Sequence, residues 1–100
     1  MTTTKSVSIN SEISQSPGNI VSDMDGEKVM LSINNGKYYN LGEIGGVIWE
    51  QLEQPILVSD IISKLISLYD VSQRECEEQV KSFLDHLNKE KLIIIDGSDL

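Results

Sequence analysis

The sequence predicts an α+β domain of winged helix-turn-helix type: a three-stranded antiparallel β-meander followed by three helices. Three observations carry that reading. Asp25-Gly26 and Asn35-Gly36 punctuate short β-type runs within residues 20–41, and such dipeptides suit tight turns whose central residues take positive φ. From Glu43 onward, apolar residues recur at helical rather than strand spacing. The all-apolar run at residues 92–95 then offers a short closing strand.

In chain order, Met1 to Lys5 are polar and expected to fray. The alternation of Val7, Ile9 and Ile13 is compatible with a short strand near residues 6–10, and residues 14–19, SQSPGN, read as a loop. The meander is expected at residues 19–24, 27–34 and 37–41. In its middle strand Val29, Leu31 and Ile33 share one face, and Met30 and Ser32 share the other, as in a sheet with one buried side. Leu41 adjoins the helical region, so its face is the inward one and Tyr38 projects outward. Both tyrosines also suit an ordinary amphipathic strand.

The first helix is expected over about residues 43–53, with Ile44, Val47, Ile48 and Leu52 on one face, Gly42 as N-cap and Trp49 at the core edge. Gly45-Gly46 costs this helix roughly 1 kcal/mol per glycine relative to alanine. Close packing against the sheet and slack in the helix start are both consistent with it. Gln54-Pro55 ends the helix. A second helix over about residues 58–69 buries Ile61, Ile62, Leu65, Ile66 and Tyr69. The third opens on a capping box, Ser72-Gln73-Arg74-Glu75. Its stripe of Cys76, Val80, Phe83, Leu84 and Leu87 runs toward an end near Lys89 or Lys91. Residues 96–100 are a polar tail.

One hundred residues suit a single domain, with its core at about residues 19–95. No run approaches the roughly 20 apolar residues of a membrane helix, and MTTTKSVSIN lacks the apolar segment of a signal peptide. One cysteine excludes an internal disulfide and fits a reducing, cytoplasmic setting. The formal net charge of −8, from 16 acidic and 8 basic residues, disfavours nucleic acid and anionic membranes and favours basic partners within about 8 Å. It also simply keeps a domain soluble.

Catalysis finds little support. Cys76 and His86 lie ten positions apart on one helix, hence about 80° apart in direction and about 15 Å apart along the axis, too far to form a nucleophile–base pair. One Cys and one His are too few for a soft-metal site, and neither phosphate-loop nor calcium-loop spacing occurs. No cofactor is expected. A DNA-reading helix would present basic and amide side chains, whereas the third helix opens with Glu75, Glu77 and Glu78. What remains is an edge strand with unpaired backbone groups, of the kind that accepts a peptide as an added strand, with the third helix as the opposite wall.

The run VMLSINNGKYYNLGEIGGVIWEQL resembles the signature of PqqD-like domains, the leader-recognition elements of ribosomally synthesised peptide pathways. DIISKLISLYDVSQRECEEQVKSFLDHLNKEKLI is similar to the family's second and third helices, and the whole likeness spans about residues 20–95. The Lys-Tyr-Tyr-x-Leu strand and the Ile-Trp helix look most like the free-standing members of lasso peptide pathways. The resemblance implies a non-enzymatic role: binding a precursor's leader and presenting it to a partner leader peptidase, with a cyclase acting afterwards. It places the leader antiparallel to Lys37, Tyr38, Tyr39, Asn40 and Leu41, against a helix wall containing Glu77, Val80, Phe83, Leu84 and Leu87. In the lasso branch a Tyr and a Pro of a Tyr-x-x-Pro leader fill apolar pockets, and by charge alone Glu77 or Asp85 would meet leader lysines. Two residues depart from the pattern: Gly42 replaces the usual Asn or Ser cap, and Gln79 replaces an acidic residue before the third-helix valine. An acidic winged-helix interaction module and a transcriptional regulator are the competing readings.

Overall fold

The computed structural model describes residues 7–95; the polar N-terminus and the tail at 96–100 lie outside the described residues. The meander comprises β2 (Asn19–Met24), β3 (Glu27–Ser32) and β4 (Lys37–Leu41), preceded by β1 (Glu12–Gln15). Helices α1 (Gly42–Gln51), α2 (Val58–Leu68) and α3 (Gln73–Lys89) follow, with β5 (Ile56–Leu57) before α2 and β6 (Ile93–Ile95) after α3. The α+β order expected from the sequence is thus present, with a second sheet in the order β5-β1-β6.

That second sheet corrects the N-terminal reading. The strand expected near residues 6–10 lies instead at Glu12–Gln15, and Ser14 and Gln15, expected in a loop, pair with Ile94 and Ile93. Its partners are some 45 and 80 positions away (Glu12 with Leu57, Ile13 with Ile95), and such pairings leave no local signal. The Gln15 amide also reaches the Trp49 carbonyl at 2.8 Å, so β1 ties α1 to the closing strand.

The two meander turns differ. Asp25 and Gly26 have φ of 56° and 85°, giving the two-residue turn the dipeptide suggests. At the second turn only Gly36 has positive φ. The connection spans Ile33 to Gly36, closed by the Gly36 N–H on the Ser32 carbonyl at 2.8 Å, so β3 stops two residues early.

The buried face of β3 is also the reverse of what its apolar residues suggest. Met30 and Ser32 are 0% and 1% exposed, whereas Val29 and Leu31 are half-buried and Ile33 is 61% exposed. Register explains the inversion: Met30 pairs with Tyr39, on the side that Leu41 carries into the core. Ser32 tolerates burial because its hydroxyl accepts the Asn35 N–H at 3.2 Å.

Helix α1 begins one residue early and ends two early. Gly42 is its first residue, with φ of 72°, and not its N-cap. The Asn40 side chain accepts the Gly42 N–H at 2.9 Å, replacing the missing cap from two positions upstream. The glycine pair is resolved in favour of close packing. A Cβ at Gly45 would stand 3.0 Å from the Phe83 ring, and one at Gly46 would collide with the Lys28 stem. Trp49 is fully buried rather than at the edge. On α2, Ile61, Ile62 and Leu65 are buried and Leu68 is exposed. The α3 cap is present: Ser72 Oγ accepts the Glu75 N–H at 3.2 Å, and the Glu75 carboxylate returns to the same hydroxyl at 3.2 Å.

Candidate peptide-binding site

The open side of β4 follows from hydrogen-bond parity. A two-residue turn closes on a bonded pair, here Met24 with Glu27, so the N–H and C=O groups of Glu27, Val29 and Leu31 face β2. The Ile33 N–H, bonded to Gly18 O at 3.0 Å on the same side, agrees. Lys28, Met30 and Ser32 therefore face β4, where Met30 and Ser32 meet Tyr39 and Lys37. By alternation Tyr38 and Asn40 turn their backbone groups to the edge that no strand covers among the described residues.

One stripe of α3, running on to its C-cap Glu90, is tied to the β4 side of the molecule by two contacts. Gln79, Phe83, His86 and Glu90 recur at i, i+4, i+7 and i+11 and so share one side of the helix axis. Near its start Phe83 rests on Gly45, just after β4. At its end Tyr39 donates its hydroxyl to Glu90 Oε1 at 2.7 Å, and Lys37 approaches the same carboxylate at 3.8 Å. Asn35 Nδ2 joins them, at 3.0 Å from the Tyr39 oxygen and 2.9 Å from the Glu90 carbonyl. The Tyr39 hydrogen bond, then the positive charges of Lys37, His86 and Lys89, hold the Glu90 carboxyl below the usual glutamate range. This cluster pins strand to helix at one end.

At the other end is an apolar hollow of about 190 Å³ between the three helices, lined by Ile44, Ile48, Tyr69, Val71, Gln79 and Phe83 among others. An engineered cavity of about 150 Å³ admits benzene, so this one has room for one ring-sized side chain. A shallower trough on α3, lined by Glu78, Gln79, Ser82, Phe83 and His86, adjoins it through Gln79 and Phe83.

A family model described as coenzyme PQQ synthesis protein D (PqqD) matches residues 27–93, well over half of the chain. The chain belongs to the PqqD family. Its fold is similar to that of TbiB1, solved in complex with the TbiA(beta) leader peptide, at TM-score 0.73 and 25% identity, over 87% of this chain and 99% of that one. It is also similar in fold to a lasso peptide synthetase B1 complexed with its leader peptide, at TM-score 0.72 and 22% identity, over 83% and 98%. No curated protein sequence matches.

In this PqqD-family domain the expected site residues separate into three groups. Lys37, Tyr38, Tyr39 and Asn40 lie on the open-edged strand, with Leu41 turned into the core. Phe83 reaches both concavities and Val80 lines the inner hollow. Leu84 and Leu87 are 0% and 1% exposed and serve the core, with no surface left for a guest. Glu77 is on the opposite flank of α3 from Gln79, two positions and about 200° away. Asp85 accepts the Val7 N–H at 3.1 Å and so faces the N-terminal segment. The apolar stripe of α3 indicates what is buried, and the groove lies one step to its side. Extending Phe83 by helical steps would have found Gln79, His86 and Glu90.

Burial raises the Cys76 thiol pKa, and its sulfur sits 3.9 Å from the Ile62 carbonyl, as a core residue. Among the described residues no group of three His, Cys, Asp or Glu is placed to hold a metal, and no helix is long and apolar enough to cross a membrane.

Proposed function

We propose that the chain is a non-catalytic adaptor. It binds the leader of a ribosomally synthesised precursor of lasso type by β-strand addition to β4, and presents it to a partner leader peptidase. The observation that carries this is the free β4 edge, with the Tyr38 and Asn40 backbone turned outward, beside a ring-sized apolar hollow. Each main-chain bond contributes about 1 kcal/mol net, and the hollow adds burial of one apolar side chain. A leader antiparallel to β4 starts near Leu41, where its Tyr or Pro fills the hollow, and leaves past Lys37.

The outer face of the meander suits the second partner. Ile20, Leu31 and Tyr38 form one cross-strand row, with Ile20 53% and Tyr38 75% exposed. A leader strand would extend that row, so the peptidase meets one surface built from adaptor and guest.

Titration of a fluorescent Tyr-x-x-Pro leader peptide tests the reading. Tyr38→Pro deletes an N–H aimed at the guest and none aimed at β3, and proline is tolerated on a free edge. Saturable binding by the parent, weakened about fivefold in a variant of unchanged melting temperature, is expected for the loss of one backbone bond. Equal binding by both proteins refutes strand addition.

A further inference from the structure

We propose that the groove selects the charge polarity of its guest, favouring basic residues around the leader's N-terminal anchor and acidic residues at its C-terminal exit. This rests on the strand-addition reading for the guest's place and direction, and adds a class of leader.

The two ends of the groove carry opposite charge. Around the hollow and trough, Asp70 lies between the lining residues Tyr69 and Val71, Glu75 stands one helical turn before Gln79 on the same side of α3, and Glu78 lines the trough. All three carboxylates are exposed. The cation among them is Arg74, which is 3.8 Å from Glu78 and whose side chain is 91% exposed. The apolar lining beside these carboxylates excludes water from one side and so concentrates their field on an incoming cation.

At the far end the balance reverses. Lys37 and Lys89 are exposed, with His86 one helical turn before Lys89 on α3. Their nearest carboxylate, Glu90, is already engaged by the Tyr39 hydroxyl and Lys37. From Glu78 to Lys89 the helix rises about 16 Å, the length of about five guest residues in a strand. That exceeds the screening length of about 8 Å at physiological salt, so different guest residues read the two ends. The arrangement therefore opposes a reversed guest as well as welcoming a correct one.

The test uses three synthetic peptides around one Tyr-x-x-Pro segment: lysines before it and glutamates after it, the reverse, and glutamines at both places. At about 0.1 M salt the first should bind about fivefold tighter than the second, with the third between, as a few exposed ion pairs allow. The gap should close at about 1 M salt, where screening falls to about 3 Å. Glu78→Lys with Asp70→Lys, both at exposed positions, should narrow or invert it, as should Lys37→Glu with Lys89→Glu. Equal binding of the two charged peptides, or a gap insensitive to salt, overturns charge selection while leaving strand addition intact. Failure of all three to bind overturns strand addition itself, and charge selection with it.

Discussion

Gly45 and Gly46 show how a single missing methyl can position a site. Gly46 lets the Lys28 stem cross the start of α1, so that its ammonium reaches Asp23 and Glu50, each at 3.1 Å. Those two carboxylates raise the Lys28 pKa, Glu50 more than Asp23. Gly46→Ala gains about 1 kcal/mol of helix propensity but overpacks by about 1–3 kcal/mol. Denaturant unfolding should therefore show a net loss of about 1 kcal/mol. Tyr39→Phe acts at the opposite end of the groove. Glu90 has a depressed pKa, so its contribution to stability is present above the ordinary glutamate pKa of about 4.3 and is lost as pH falls through the lower folded value. Melting temperatures of parent and Tyr39→Phe should differ at neutral pH and converge in acid. A gap that persists at low pH would mean that Tyr39 acts through packing instead.

Among elements, α3 has the most to do, and its signals are local. Ser72→Ala should cost about 1 kcal/mol of stability, the usual cost of an N-cap, read as a fall in the free energy of denaturant unfolding. Elements made by near neighbours were legible in the sequence: the Asp25-Gly26 turn, β2 and β4 with their bounds, and the capping box of α3. Elements made by distant neighbours were not. β1 and β5 exist because residues separated by some 45 positions pair in space, and a two-residue strand such as Ile56–Leu57 has no periodicity of its own. The same limit applies to the groove. A turn dipeptide announced a strand at 37–41 and the family resemblance its role, but the flank of α3 tied to it is set by Phe83 on Gly45 and Tyr39 on Glu90, contacts spanning 38 and 51 positions.

For the whole molecule, the exposed row of Ile20, Leu31 and Tyr38 and the charge of −8 predict different behaviour toward different partners. Ile20→Glu places a charge on the outer face, away from the β4 edge. It should slow leader removal in a reaction with the partner peptidase while leaving leader affinity within about twofold, since surface changes away from a contact cost little. Loss of both together would place Ile20 in the leader site. Duplex DNA should show no binding at about 0.1 M salt, because the counterion-release term has the wrong sign for an acidic surface.

The α+β class, the order of meander and helices, and the scarcity of Cys and His were legible in the chain itself, while the family resemblance singled out Lys37–Leu41 as the edge strand. The first three rest on spacing or side-chain chemistry that acts over a few residues. Tertiary structure alone decided which face of β3 is buried. Val29, Leu31 and Ile33 are the more apolar set, yet Met30 and Ser32 face the helices because Leu41 sets the register of β4 and the sheet must follow. It likewise decided that Leu84 and Leu87 are spent on the core while Gln79, Phe83 and His86 line the open trough beside it. A helix buries its most apolar stripe, and only the contacts at the stripe's margin determine what stands beside an open groove.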